Sequence, residues 1–219
     1  MTPDGKTSEP EISLYETILE DISRGNLQGG DRLKVSALAA QYGQSASPIR
    51  EVLRRMQGEG FVEILQNRGA VIVSANAHTI QNIFEILRLL EPYFVRWFAE
   101  YALPEMLEDL EIVHRKMLAQ AGKDLYEFRQ LDLEFHQVIC KHHYNDVAAD
   151  TWRRLRTALN VHASRLRISP LRIETIMKEH SELMEAFRAN DSNMAMDVID
   201  RHVNGSYHQM TQQMRAIGI

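Results

Sequence analysis

The sequence predicts a mainly α-helical chain that begins with a small winged helix-turn-helix domain, of mixed α and β structure, and continues as an all-α helical bundle. Two observations indicate the winged helix: two short amphipathic helices meet at Gly43, and two β-rich runs flank Asn67-Arg68-Gly69. The bundle is indicated by helical periodicity throughout residues 77–219. The predicted winged helix covers residues 10–76, and residues 1–9 are expected to form a disordered tail.

The second of the two short helices carries the side chains that we expect to enter the major groove of DNA. It spans Ser45 to Met56, with Pro48 in its first turn, where the missing N–H is harmless. One side of this helix is apolar, and the other side carries Arg50 and Arg54. Alone, this segment could also be a helical hairpin with a solvated basic face. The β-hairpin that follows favours a winged helix, whose second helix reads DNA.

The distribution of charge agrees with a local DNA-binding region. The whole chain has a formal net charge of −5. Residues 24–76 nevertheless hold seven Lys and Arg against four Asp and Glu, whereas residues 77–219 hold 17 against 20. Positive charge is therefore confined to the segment with the helix-turn-helix, as phosphate binding requires.

Composition predicts a soluble cytoplasmic protein. Hydrophobic residues make up 44% of the 219 residues and charged residues 25%. No apolar run approaches the ~18 residues that a membrane span needs, so no membrane partner is expected. The first ten residues lack the apolar core of a secretion signal. The single cysteine, Cys140, excludes an internal disulfide framework and is typical of a reducing compartment.

The N-terminal segment resembles the GntR family of bacterial transcription regulators. The matching residues are Gly25, Leu27, Gly30, Arg32, Leu33, Ser45, Ser47, Pro48, Arg50, Glu51, Leu53, Arg55, Met56, Gly60, Phe61, Val62, Asn67, Arg68, Gly69 and Ala70. The resemblance implies a homodimer that binds a double-stranded palindromic operator. The DNA contacts that it implies are Arg32, Lys34, Ser36, Ser45, Ser47, Arg50, Arg54, Arg68 and Gly69. The family usually has arginine at the position of Ala46, so this chain departs from the family at one contact position.

The C-terminal segment predicts a bundle of six or seven helices. The expected helices cover residues 77–101, 105–121, 124–142, 146–168, 171–190 and 192–215. Pro92 falls inside the first of them, where it is expected to kink or split the helix because its ring clashes one turn back.

Polar residues interrupt the apolar stripes of three of these helices. Asp132, His180 and His202 each occupy a position where an apolar residue is expected, and His136 lies one turn after Asp132. A lone histidine on an apolar face is usually a hydrogen-bonded core residue. Four such groups meeting in a core would be costly to desolvate, and a shared divalent cation would satisfy them together. Nitrogen and oxygen donors without sulfur suit zinc first, and also nickel or manganese.

This segment resembles the FCD effector domain of FadR-type GntR regulators. The resemblance rests on Asp132-x-x-x-His136 with Phe135 before the histidine, on Asn145, on Glu179-His180 and on His202. It implies that Asp132, His136, His180 and His202 are metal ligands, and that a small organic acid binds beside the metal as an effector.

The predicted effector pocket lies in the same helical segment. The FCD family commonly has arginine at the position of Leu87, between two glutamates that are both present here. Arg88 follows Leu87, which is a rotation of about 100° on a helix. Arg88 and His162 are therefore the candidate pocket residues, and whether Arg88 replaces the family arginine is left open.

The sequence thus predicts a metabolite-responsive transcription regulator. Two alternatives remain at this point. The histidine and aspartate cluster could activate water in a metal-dependent hydrolase-like enzyme, although no nucleophile and base pair is evident. The metal site could also be purely structural, in a regulator without an effector.

Overall fold

The structure is a computed structural model of the chain, and it divides into two compact units, residues 1–74 and residues 75–219. The residues that it describes are 13–66, 68–74, 76–163 and 166–218. The expected disordered tail lies outside these described residues, and so does Asn67 in the turn of the hairpin.

Among the described residues of the first unit, three helices pack with a three-stranded antiparallel sheet. The elements are α1 (Leu14–Arg24), β1 (Arg32–Leu33), α2 (Val35–Gln41), α3 (Ala46–Gly58), β2 (Val62–Leu65) and β3 (Gly69–Ile72). The strand order is β1-β3-β2, so the hairpin of β2 and β3 forms the wing. Helices α2 and α3 contact each other across the turn that contains Gly43. This architecture confirms the predicted winged helix-turn-helix.

Helix α1 is defined at both ends by its own sequence. The Ser13 hydroxyl accepts from the backbone N–H of Glu16, whose carboxylate accepts in return from the backbone N–H of Ser13. Gly25 ends the helix with a φ of 82°. Ile18 and Ile22 are fully buried, and α1 lies against α3. The apolar face of α1 therefore helps to hold α3 in place.

The start of β3 requires glycine for two reasons. Gly69 has a φ of 84°, a conformation that side chains with a Cβ rarely adopt. A Cβ at Gly69 would also lie 2.2 Å from the carbonyl oxygen of Leu33, which belongs to the neighbouring strand β1. The close approach of β1 and β3 thus depends on a bare backbone at this position.

We predict that Gly69→Ala loosens the wing. Gly60→Ala is the matched control, because Gly60 also has a positive φ of 81° but has no atom within 4 Å of an added Cβ. The control isolates the conformational cost, about 1–2 kcal/mol, and Gly69→Ala adds a steric clash. Hydrogen–deuterium exchange at the β1 and β3 amides should therefore be faster in Gly69→Ala than in Gly60→Ala. Equal exchange rates in the two variants would contradict this account.

In its described residues, the second unit consists of six helices. They are α4 (Ala77–Tyr101), α5 (Pro104–Gln120), α6 (Leu125–Lys141), α7 (Asp146–Ala163), α8 (Pro170–Arg188) and α9 (Ser192–Ala216). Helix α9 lies against α4 and α8, and α6 lies against α4, α5 and α7. The predicted all-α bundle is confirmed. Among the described residues, no helix is both long enough and apolar enough to cross a membrane.

One expected interruption and one expected helix end differ from the structure. Helix α4 has the expected bounds and continues through Pro92 without a break, so proline does not split it. Proline removes one backbone hydrogen bond, but buried side chains on both sides of it, including Phe84 and Phe98, anchor the helix in the core. Helix α7 ends at Ala163 rather than near residue 168.

Candidate metal centre and DNA-binding surface

The winged helix unit has a basic concave surface of about 740 Å³. Its lining residues are Arg32, Lys34, Val35, Ser36, Ala46, Arg50, Leu53, Arg54, Ile64, Leu65, Arg68 and Gly69. Five of these residues are cationic, and none of the described lining residues is acidic. Such a concentration of positive charge is suited to the phosphate backbone of DNA.

The two ends of this surface come from α3 and the wing. Arg50 and Arg54 are exposed on α3, while Ile49 on the other face of the helix is fully buried. At the wing, Nε of Arg32 donates a hydrogen bond to the carbonyl oxygen of Arg68 at 3.1 Å. This bond connects β1 with the tip of the hairpin, so the wing arginine is held beside the strand.

Seven of the nine predicted DNA contacts line this surface. The other two, Ser45 and Ser47, are exposed at the N-terminal end of α3. Ser45 precedes the helix with extended backbone, and its hydroxyl makes no capping hydrogen bond. A helix N-terminus with two nearby hydroxyls is suited to a phosphate oxygen. Ala46, where the GntR resemblance has arginine, does line the concave surface.

We predict that Arg50→Ala weakens operator binding by about 1–3 kcal/mol, if Arg50 reaches a base edge. Arg55→Ala is the control on the same helix. Arg55 does not line the concave surface. Its Nε instead donates to Glu59 at 3.1 Å, and its guanidinium covers the ring of Tyr15. Fluorescence anisotropy with an operator selected from random DNA measures both affinities. Equal losses in the two variants would contradict a specific role for Arg50.

The second unit brings together the four predicted metal ligands. Asp132 and His136 are one turn apart on α6, His180 is on α8 and His202 is on α9. One ligand atom from each of the four lies within 4.8 Å of the others. The three histidines are 0–1% exposed and Asp132 is partly buried. The apolar stripes of three helices therefore meet where these polar groups interrupt them.

The polar atoms that face one another in this cluster lack hydrogen-bond partners within the described structure. They are Asp132 Oδ1, His136 Nε2, His180 Nε2 and His202 Nε2. His180 Nε2 lies 3.4 Å from Asp132 Oδ1, but the two atoms form no hydrogen bond. Buried polar atoms are normally satisfied. One oxygen and three nitrogens left together in this way match the donor set of a divalent metal ion.

Glu91 on α4 orients the first of the histidines. Its Oε2 lies 3.2 Å from Nδ1 of His136, and its Oε1 accepts from Trp152 Nε1 and from Arg156 Nε, each at 2.8 Å. Burial alone would raise the pKa of the Glu91 carboxyl, but Arg156 and His136 lower that pKa well below its ordinary value. The ionised carboxylate favours the proton on Nδ1 of His136, which leaves the Nε2 lone pair directed at the cluster.

Glu179 on α8 orients the second histidine in the same way. Its Oε2 lies 2.9 Å from Nδ1 of His202, and both of its oxygens accept from Arg172 Nη1, at 3.0 and 3.2 Å. Burial raises the pKa of the Glu179 carboxyl, but His202 and Arg172 outweigh it, so that pKa is lowered overall. A carboxylate behind a histidine is the usual outer support of a metal-bound imidazole.

The third histidine is held by packing. The ring of His180 stacks on Phe135, with centroids 4.2 Å apart and planes 6° apart. Burial, followed by the neighbouring His202 and His136, holds the pKa of His180 well below its ordinary value. Burial also lowers the pKa of His202, although Glu179 acts in the opposite direction. Both rings are therefore neutral at pH 7, which is the form that binds metals.

A cavity of about 80 Å³ lies beside the cluster, and we refer to it as the arginine cavity. Its lining residues are Phe84, Phe128, Arg129, Asp132, Arg156, Leu159, Asn160, Ala163, Leu166, Ile168, Arg172, Ile176, Ser206, Gln209 and Met210. It therefore combines one metal-ligand candidate and three guanidinium groups with an apolar wall.

Neither predicted pocket residue lines the arginine cavity. Nε of Arg88 donates to Asn204 at 2.8 Å, and the Arg88 guanidinium covers the ring of Tyr207. His162 is buried, and burial lowers the pKa of its ring. Leu87, at the position of the family arginine, is fully buried in α4.

Sequence reasoning missed the three cavity arginines because each comes from a different helix, α6, α7 or α8. One signal was available for Arg172. Gly205 interrupts the helical sequence of α9, and a Cβ there would lie 2.7 Å from Arg172 Nη1. The glycine in the helix makes room for the guanidinium, and glycine inside a helix otherwise lowers stability.

Comparison with known families agrees with both halves of this structure. Residues 82–205 match the FCD domain, and residues 12–72 match the gntR family of bacterial regulatory proteins. The chain is a GntR-family regulator with an FCD domain.

Full-length relatives of this GntR-type chain are similar along most of its length. The HTH-type transcriptional regulator YdhC of Bacillus subtilis is 26% identical over 206 residues, which covers 88% of this chain and 87% of YdhC. The gluconate operon transcriptional repressor of Bacillus licheniformis is 24% identical over 208 residues, which covers 90% and 85% of the two chains. Among solved structures, McbR/YncC of E. coli has the same fold, with a TM-score of 0.81, 20% identity, and coverage of 91% of this chain and 96% of that chain.

These relatives are transcription regulators, and the two matching domains belong to transcription regulators as well. The prediction that this GntR chain regulates transcription is confirmed, and so is the prediction that it is not an enzyme. The hydrolase-like alternative is therefore dropped.

Proposed function

We propose that this protein is a cytoplasmic, homodimeric regulator that binds a palindromic operator and changes its affinity for DNA when a small carboxylate metabolite binds beside a divalent metal. Asp132, His136, His180 and His202 would hold the metal, with zinc expected first and nickel or manganese possible. A bound ion supplies positive charge and open coordination positions for a ligand at this point of the bundle.

The observation that carries the metal proposal is the set of four buried donor atoms without hydrogen-bond partners in the described structure. A hydrogen-bonded polar cluster would need donors that face these acceptors. Here Glu91 and Glu179 instead direct the Nδ1 protons of two histidines away from the centre. The Nε2 lone pairs of these two histidines and the Asp132 oxygen then face the centre, where a cation would bind them.

The arginine cavity supports an effector rather than a purely structural metal. A structural site is usually closed by its protein ligands. Here Asp132 belongs both to the cluster and to the wall of the cavity, so a bound molecule would lie next to the ion. Regulation follows if this molecule has different affinity for two arrangements of the dimer, since only differential binding can shift such an equilibrium.

We predict that His202→Ala abolishes stoichiometric zinc binding and the zinc-induced rise in melting temperature. His208→Ala is the control on the same helix, because His208 is exposed and lies outside the cluster. Elemental analysis after dialysis gives the zinc content, and thermal denaturation gives the stabilisation. Lowering the pH should reduce the zinc effect in the wild type, since imidazoles must be neutral to bind metal.

The stability of the metal-free chain should also decrease at low pH. The pKa values of His180 and His202 are lowered in the folded chain, whereas unfolded histidine titrates near 6.5. Protons therefore favour the unfolded chain as the pH falls below about 6.5, and stability decreases there. Wild-type protein that takes up no zinc, nickel or manganese at neutral pH would contradict the metal proposal.

The homodimer is supported by an exposed apolar face on α4. Ile86, Leu89 and Tyr93 are 42%, 70% and 37% exposed, and they recur at the spacing of a helix–helix seam. Glu85 lies just before this face and Arg96 just after it. If two copies of α4 pair antiparallel about a two-fold axis, the end of the face with Glu85 lies beside the partner's end with Arg96.

We predict that Leu89→Glu converts the dimer into a monomer, because it places two buried carboxylates at the seam. Glu85→Arg should weaken the dimer by like-charge repulsion, and the double variant Glu85→Arg with Arg96→Glu should restore it. Sedimentation equilibrium measures the three dissociation constants. If Leu89→Glu leaves the dimer intact, the two copies meet on another surface.

A further inference from the structure

Two of the three cavity arginines are neutralised by the carboxylates that support the histidines. Arg156 donates to Glu91, and Arg172 donates to Glu179. These pairs are buried, and each carboxylate also contacts the Nδ1 atom of one histidine. Both arginines are therefore part of the support of the cluster, and their charges are already balanced.

Arg129 differs from these two arginines. Its Nη2 donates to the backbone carbonyl of Leu166, and no described carboxylate oxygen lies within 4 Å of its guanidinium. Burial lowers the pKa of Arg129 to about 10, and the charge of Asp132 only partly offsets this effect. A partly buried cation without a hydrogen-bonded carboxylate is destabilising. It lines the same small cavity as Asp132.

Arg172, which also lines the arginine cavity, has a second donor without a partner. Nε of Arg172 is buried and has no hydrogen-bond partner in the described structure, although both terminal nitrogens of this side chain are bonded. Arg172 is 9% exposed and lines the arginine cavity. Gly205 is what allows the guanidinium to lie against α9, so this donor is held in place by the fold.

The charge balance around the cavity indicates the charge of its ligand. Three arginines line the cavity, and three carboxylates, those of Asp132, Glu91 and Glu179, lie around it and the cluster. These six charges cancel when the imidazoles are neutral. A divalent ion in the cluster would then leave an excess of two positive charges in a largely buried region, and a bound dianion would remove it.

We propose that the effector is a dicarboxylate and that Arg129, together with Nε of Arg172, binds the carboxylate that is directed away from the metal. This inference rests on the proposed metal and effector site. The arginines that bind the anion would then lie on α6 and α8. The FCD family commonly has its arginine on α4, at the position that Leu87 occupies here. Arg129 is then a specificity-determining residue, because a monocarboxylate leaves either the metal side or the arginine side of the cavity without its anion.

The test uses full-length wild-type protein loaded with zinc and freed of excess metal. Isothermal titration calorimetry compares the dicarboxylates malonate, succinate and glutarate with the monocarboxylate butyrate. At least one dicarboxylate should bind about tenfold tighter than butyrate, and Arg129→Gln should lose at least about tenfold of that affinity, as the loss of a charge-assisted hydrogen bond predicts. Arg88→Gln is the matched control and should bind like the wild type.

Zinc content is measured in every variant, so that two kinds of failure are distinguished. If the wild type takes up zinc but binds no dicarboxylate, or binds butyrate equally well, the inference is wrong and the metal proposal stands. Unchanged affinity in Arg129→Gln also overturns it. If Arg129→Gln does not fold, the comparison of succinate with butyrate on the wild type decides. Wild type without zinc would overturn the proposed function and this inference together.

Discussion

The FCD domain depends on one physical constraint: four polar side chains occupy a helical core, and their facing atoms have no hydrogen-bond partners in the described structure. Replacing them with apolar residues would make an ordinary bundle. Retaining them destabilises the core unless something binds all four. The carboxylates of Glu91 and Glu179 strengthen this constraint, because they select the imidazole tautomers that present lone pairs to one another.

This constraint links most of the second unit. The cluster itself joins α6, α8 and α9, and Glu91 adds α4. Through Glu91, Trp152 and Arg156 bring α7 into the same network. The cluster and its hydrogen-bonded neighbours thus belong to five of the six helices described in this unit, so a charge bound there would act on all five. The arginine cavity lies within this network, so a molecule bound there would alter several helix contacts at once.

Much of this structure could be predicted from local sequence patterns. The apolar stripes placed the helices of the bundle, and the interruptions of those stripes by Asp132, His180 and His202 indicated which polar groups meet. The support of the cluster could not be predicted in the same way. Arg156 reaches Glu91 across 65 positions and Arg172 reaches His202 across 30, and such pairs depend on how helices pack rather than on spacing.

The same reasoning explains why Arg88 does not line the arginine cavity. Arg88 adjoins the family position, but one residue on a helix changes the direction of a side chain by about 100°. Asn204 and Tyr207 hold Arg88 away from the cavity, and Arg129 lines it instead. The unbroken course of α4 through Pro92 likewise depends on tertiary packing, which outweighs a single lost backbone hydrogen bond.

Whether Asp132 and the three histidines hold one metal ion can be measured by anomalous X-ray diffraction at the zinc edge from crystals of zinc-loaded protein. We expect one strong anomalous peak per chain, at about 2.0–2.2 Å from one atom of each of the four side chains. A peak bound by other residues, or no peak in the core of the second unit, would contradict it.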